Sequence, residues 1–194
     1  MINLKKGDAP VKLAKRSGET VTLKTTWSSK TDYDLYALVL YTDGRVEHVA
    51  TFGAGDIKPK AATDDGAVRH GGDVGGGSGD AEETVSVTLT DQIRAIVAVA
   101  YSAQSNGTGS FRKYKVGMEV QAAGQTVRID ASNADRNDTR YTCVPGWVEN
   151  TPDGVLVHAF ETYSAPGSEN RPAVRLHNDQ VQITMDAGPR NDYK

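Results

Sequence analysis

The segment 64–83 concentrates acidic side chains that could hold a metal ion. It carries seven of the chain's 20 glycines and six carboxylates, with Arg69 as its one strong cation. Glycine adopts left-handed and sharply turned conformations at little steric cost, so such a loop can aim main-chain carbonyls inward. Hard cations such as Ca²⁺ take about six to eight oxygen ligands. The composition favours a Ca²⁺ site, and the alternative is a flexible Gly/Ser linker between two strands.

A second acidic feature lies at the start of a predicted strand. Asp32, Asp34 and Tyr36 alternate along the chain, and alternate residues of a strand share one face. Two carboxylates at the mouth of a strand can supply half of a Ca²⁺ site. The alternative interpretation is a pair of solvated loop acids.

Composition limits the classes of partner and compartment. The chain has 194 residues, which fits one domain, and its net charge of -3 with no basic stripe predicts no nucleic-acid partner. Cys143 is the only cysteine, which excludes an internal disulfide and suits a reducing cytoplasm. The N-terminus lacks the apolar region of a signal peptide, and no apolar run approaches the roughly 20 residues of a membrane helix. We therefore expect a cytoplasmic protein, with association at a membrane surface and oligomeric state left open.

Short alternating or apolar segments separated by Gly and Asx turns predict an all-β protein. Residues 20–26 and 84–89 alternate with period two, and the apolar run 93–101 is typical of a strand buried on both faces. The other predicted strands are 11–13, 34–41, 45–52, 111–121, 125–130, 139–144, 155–161, 173–177 and 180–185. No convincing amphipathic helix interrupts them, so the fold class is predicted as an antiparallel β-sandwich of two packed sheets.

Two segments stand outside this regular pattern. Residues 53–79 are predicted to be mostly loop, which is longer than a compact domain usually tolerates without a purpose. Residues 164–194 are predicted to add a C-terminal hairpin and tail to a single domain spanning 1–194, with a frayed end from 188 onward.

The two acidic motifs together resemble the TerD family of tellurium-resistance and bacterial stress proteins. The motifs are Asp-Tyr-Asp-Leu at 32–35, His-Gly-Gly-Asp at 70–73 and Gly-Asp-Ala-Glu-Glu at 79–83, the last feeding an alternating strand. The resemblance covers roughly residues 1–164. It implies a β-sandwich that binds Ca²⁺ in a loop cluster at one end, with a role in stress or tellurite resistance. Protein partners in a stress complex would follow from that role.

The resemblance also implies a ligand set. The residues that match the family's acidic positions, together with one glycine of the loop, are Asp32, Asp34, Asp73, Gly75, Asp80, Glu82 and Glu83. Tyr36 stands where the family has a third acid, Val74 replaces an Asn, and the run around Ala81 is one residue short. These departures predict fewer ions or weaker binding than in a member with complete motifs.

Other readings of the same residues remain open at this point. A Ca²⁺-dependent ligand binder, lectin-like or attached to a membrane surface, would use contacts such as Tyr33, Tyr36 or Lys30. An enzyme is not expected, because no nucleophile, base and orienting group occur at meaningful positions, although a carboxylate cluster with another metal could be hydrolytic. His70 could cap or orient the acidic loop, but an ordinary surface histidine is favoured, and Cys143 is expected in the core.

Overall fold

A computed structural model describes residues 1–15, 18–75, 79–106, 110–134 and 139–192 of the chain. These residues are mostly in strands, and two large sheets pack against each other, which confirms the predicted all-β sandwich. The strands are β1 (Ile2–Asn3), β2 (Val11–Leu13), β3 (Thr20–Ser29), β4 (Asp34–Tyr41), β5 (Val46–Val49), β6 (Val68–His70), β7 (Gly79–Thr88), β8 (Ile93–Tyr101), β9 (Gly117–Ala122), β10 (Gln125–Asp130), β11 (Thr142–Thr151), β12 (Gly154–Tyr163), β13 (Ala173–His177) and β14 (Gln180–Thr184). None of the described helical residues forms a segment long and apolar enough to cross a membrane.

The strand order places the two acidic motifs on different sheets. Sheet A runs β1-β10-β9-β3-β7-β6, sheet B runs β2-β12-β11-β8-β4-β5, and β13-β14 form a separate hairpin. Pairing is antiparallel except between β1 and β10, which are parallel. The strand that begins at Asp34 is therefore in sheet B, whereas the acidic strand β7 is in sheet A. The main core lies between them and includes Leu23, Leu35 and Val85.

The neighbouring strands β4 and β8 of sheet B are buried on both faces, as the apolar pattern of 93–101 predicts. All eight residues of β4 are buried. Leu35, Ala37 and Val39 face the core between the sheets. Tyr36 and Leu38 face the opposite side, where they cluster with side chains of β8 and of the β13-β14 hairpin. The hairpin thus covers the outer face of sheet B, and a strand with two apolar surfaces loses its alternation.

Several element boundaries differ from the predicted ones. β7 begins at Gly79, five residues before the predicted start at 84, because it pairs with β3 as far as Ser29. β6 lies within the predicted 53–79 loop, and β9 begins at Gly117 after a turn at 111–115. β11 runs to Thr151, well beyond the predicted 139–144. Each extension adds backbone hydrogen bonds to a neighbouring strand, which sequence patterning does not register.

The prediction of a frayed tail is wrong for residues 188–192. The Gly188 amide donates to the Arg171 carbonyl at 2.8 Å, and the Asp192 amide donates to the Gly53 carbonyl at 2.9 Å. Residues 193–194 lie outside the described residues. The tail is ordered because it closes over Arg171, whose side chain is fully buried.

Arg171 anchors this C-terminal segment to sheet B and to the loop that follows β5. Its guanidinium donates to the Asn191 side-chain oxygen at 2.7 Å, to the Phe52 carbonyl at 2.9 Å and to His48 Nδ1 at 3.1 Å. It also lies 4.7 Å from the ring centroid of Tyr36. Because His48 Nδ1 accepts a hydrogen bond from a cation, the imidazole has to be neutral in the folded protein.

The His48–Arg171 contact predicts a pH dependence of stability. Burial, followed by the charge of Arg171, lowers the pKa of His48 to about 4. An unfolded histidine has a pKa near 6.5, so stability from His48 is complete above that pH and is lost as pH falls towards 4. We expect a loss on the order of 2 kcal/mol, discounted for the partial exposure of the ring. Urea denaturation between pH 7.5 and 4 measures it.

Two variants separate His48 from the other titrating groups. His48→Asn keeps a hydrogen-bond acceptor but does not titrate, so its unfolding free energy should depend less on pH in this window. His177→Asn changes an exposed histidine of β13 and should leave the wild-type profile intact. Identical profiles for wild type and His48→Asn would show that His48 does not carry the effect.

Candidate metal centre

Three of the predicted ligands lie together at one end of the sandwich. Asp32, Asp34 and Asp73 each offer a carboxylate oxygen, and these atoms all lie within 4.8 Å of one another. Asp34 is buried, Asp32 is half-buried and Asp73 is exposed, so the group leads from the protein interior to solvent. Among the described residues it is the only such group of carboxylates and histidines.

Sheet B fixes the positions of Asp32 and Asp34. Asp34 is the first residue of β4 and stands opposite Tyr101 of the central strand β8. The Ser102 hydroxyl, one residue after that strand, donates to the Asp32 main-chain carbonyl at 2.9 Å. The two acids are therefore held by the buried strands β4 and β8, which limits their movement.

The backbone of residues 71–75 presents Asp73. The Gly71 amide donates to the Thr84 carbonyl at 2.8 Å, and a Cβ atom at Gly71 would lie only 2.4 Å from the Thr84 hydroxyl oxygen. Gly72 has a φ of 110°, which favours glycine, and its amide donates to His70 Nδ1 at 3.0 Å. Gly71 thus allows the backbone to approach Thr84 closely, and Gly72 allows the turn that leads to Asp73.

Glu83 contacts the same segments without belonging to the group of three. Its carboxylate is fully buried. One oxygen accepts the Leu35 amide at 2.7 Å, and the other accepts the Val74 amide at 2.9 Å. Both oxygens are therefore engaged with main-chain donors.

Asp80, Glu82 and Gly75 lie outside the group as well. Asp80 and Glu82 are exposed residues of β7 on the face opposite to Glu83, and Glu82 pairs with Lys24 at 3.0 Å. Gly75 is exposed beyond Val74. The predicted ligand set contains six carboxylates that should converge, whereas the structure brings three of these six together and separates the rest. The reason is strand pleating, which sends successive β7 side chains to opposite faces.

Tyr36 occupies the position of the third acid in the TerD motif, and its side chain packs in the interior. It shares the outer face of sheet B with Asp34 but has no exposed surface. Its ring meets Phe52 edge to face at 5.6 Å and lies under Arg171. Burial raises the pKa of the Tyr36 hydroxyl well above its usual range, so this side chain stays neutral.

The donor set suits a hard cation. All three groups are carboxylates, and their spacing of up to 4.8 Å matches one ion, because Ca²⁺–oxygen bonds of about 2.3–2.6 Å place opposite ligands about 5 Å apart. Like charges about 4 Å apart repel by roughly 1 kcal/mol per pair even at the dielectric constant of water. Asp32, Asp34 and Asp73 would hold the ion, which would offset this repulsion.

His70 contacts the same segments from the interior, so the prediction of an ordinary surface histidine is wrong. Its side chain is fully buried, and its Nε2 lies 2.7 Å from the Leu35 carbonyl. A signal existed, because His70 lies two residues after Val68 on the inward face of a short strand. Three residues followed by two glycines are too few to show the alternation of a strand. The expected core location of Cys143 is confirmed.

Comparison with known protein families and with curated proteins assigns no family to the chain. No protein-family model matches the chain, and no curated protein matches it. The TerD resemblance stays a prediction from the acidic motifs, and the fold and the group of three aspartates stand on the structure alone.

Proposed function

We propose that the protein is a Ca²⁺-binding β-sandwich module whose ion joins the start of β4 to the loop that follows β6. The observation that carries the proposal is the convergence of Asp32 and Asp34, at the start of β4, with Asp73, in the loop that follows β6. Oxygen-only donors favour Ca²⁺ over softer metals, and a glycine-rich loop can add main-chain carbonyls. The proposed role is binding and not catalysis.

The proposed biological role is a TerD-like part in a stress response, including tellurite resistance, with protein partners in a stress complex. Its support is the resemblance of the motifs at 32–35, 70–73 and 79–83. The proposed compartment is the cytoplasm, where the single free Cys143 would stay reduced.

The structure weakens the rival proposal of a Ca²⁺-dependent lectin-like or membrane-surface binder. That function needs aromatic or basic contacts beside the ion. Tyr33 and Tyr36 have no exposed surface, so neither side chain can meet a ligand in this conformation. Lys30 is exposed but stands without these aromatic neighbours at the surface.

Calorimetric titration of chelator-treated protein tests the proposal. We expect saturable Ca²⁺ binding, and weaker binding of Mg²⁺, because Mg²⁺ demands near-octahedral geometry and gives up water reluctantly. Asp34→Asn keeps the shape of the side chain, removes one ligand charge and should abolish most of the heat. Absence of Ca²⁺ binding by the wild type, or equal binding by Asp34→Asn, would refute the proposed centre.

A further inference from the structure

One buried carboxylate connects the two backbone segments that carry the aspartates. Glu83 accepts the amides of Leu35 and Val74, which are the residues directly after Asp34 and Asp73. Each hydrogen bond therefore holds the peptide group that leaves a proposed ligand. The two distances, 2.7 and 2.9 Å, are typical of charge-assisted bonds.

The backbone of Leu35 needs such partners because its sheet ends there. On one side, Leu35 stands opposite Ala100 of β8. On the other side, β5 pairs with β4 only from Ala37 onward within the described residues. A buried amide or carbonyl without a partner costs about 1–3 kcal/mol. Side chains from sheet A take the place of a strand neighbour at this position.

His70 forms a second connection between the two segments that carry Asp34 and Asp73. Its Nδ1 accepts the Gly72 amide at 3.0 Å, which leaves the proton on Nε2. Nε2 then donates to the Leu35 carbonyl at 2.7 Å. The same ring thus ties the turn before Asp73 to the residue after Asp34, in parallel with Glu83.

We infer that Glu83 and His70 are positioning residues of the metal centre, and that Glu83 is not a metal ligand. They clamp the two aspartate-bearing segments and so keep Asp34 and Asp73 within one group of carboxylates. The inference rests on the proposed metal site. It replaces the ligand role that the sequence motif suggests for Glu83, because both oxygens of this carboxylate accept amides and Glu83 lies outside the group of three aspartates.

Europium luminescence separates a positioning residue from a ligand. Eu³⁺ replaces Ca²⁺ at oxygen sites, and its decay rates in H₂O and D₂O count the bound waters. Glu83→Gln keeps the size of the side chain but turns an amide group towards one of the two N–H donors. We expect its dissociation constant for Eu³⁺ to rise about tenfold or more, with the number of bound waters unchanged.

Glu82→Gln is the matched control, since it removes the same charge one residue earlier from the exposed face of β7. It should bind Eu³⁺ like the wild type. Asp34→Ala removes a ligand and should both weaken binding and increase the bound waters. An increase in the number of bound waters in Glu83→Gln would show that Glu83 is a ligand. An affinity for Eu³⁺ equal to that of Glu82→Gln would show that Glu83 does not position the metal centre. Either result overturns the inference.

Hydrogen exchange in the wild type tests the clamp without any variant. The amides of Leu35 and Val74 should be protected about tenfold or more in chelator-treated protein, because their acceptor is buried. Rapid exchange at both would overturn the inference. If the wild type fails to bind Eu³⁺, or Asp34→Ala binds equally well, the proposed function falls too. If the wild type binds Eu³⁺, Asp34→Ala binds it more weakly, and Glu83→Gln binds it as tightly as Glu82→Gln, the metal site stands and the inference alone fails.

Discussion

Adding millimolar Ca²⁺ to the chelator-treated protein is expected to raise its melting temperature by several degrees. Asp32, Asp34 and Asp73 repel one another without a cation, and a ligand that binds only the folded state stabilises it. The gain is about 2.7 kcal/mol at a hundredfold excess over the dissociation constant. For a chain of this length, that gain corresponds to roughly 5–10 °C. Scanning calorimetry or dye-based melting measures the shift, and Mg²⁺ should produce less of it.

Substitution of the ligands should remove this shift. Asp34→Asn and Asp73→Asn each keep the shape of the side chain and remove a charge, so either should largely abolish the effect of Ca²⁺. Asp153→Asn changes an acid in the turn between β11 and β12 and should leave the shift intact. An unchanged shift in both ligand variants would mean that Asp34 and Asp73 do not hold the ion.

Replacement of Arg171 is expected to cost about 3–5 kcal/mol of unfolding free energy. Its guanidinium is fully buried and donates to Asn191, His48 and two main-chain carbonyls, those of Phe52 and Gly53. Arg171→Met keeps much of the apolar stem but leaves these acceptors without a donor. It also removes the contact over the rings of Tyr36 and Phe52. Guanidinium denaturation of the variant measures the loss.

Arg175 offers the matched control. It lies in β13, four residues after Arg171, is exposed, and its side chain donates to the Gln182 side-chain oxygen at 3.2 Å. Arg175→Met should change the unfolding free energy by less than about 0.5 kcal/mol. If Arg171→Met were as stable as Arg175→Met, the C-terminal segment would not depend on its buried cation.

The alternation of apolar residues in β7 predicts which of its acids are buried, whereas its acidic composition does not. Val85 and Val87 point into the core. Extending that period backward places Glu83 inside and Glu82 outside, as the structure shows. Clean alternation begins only at Thr84, so the pattern predicts a loop over the acidic run, whereas β7 begins at Gly79. Fold class and buried strands follow from local patterns, and they were predictable.

The partners of Glu83 and Arg171 were not predictable in the same way. Glu83 meets Leu35 and Val74 only because two sheets pack at a particular register. Arg171 binds carbonyls of a loop more than a hundred residues earlier in the chain. An isolated arginine or glutamate in a sequence is most often exposed, and only the tertiary contacts identify the buried ones.

A crystal structure of the protein grown in millimolar CaCl₂ tests the proposed centre most directly. We expect an ion with oxygens of Asp32, Asp34 and Asp73 as ligands at about 2.3–2.6 Å. Glu83 should remain bonded to the two amides and stay outside the coordination sphere. A structure with only water between the three aspartates, or with Ca²⁺ found only at other places in the protein, would contradict the proposed Ca²⁺ centre.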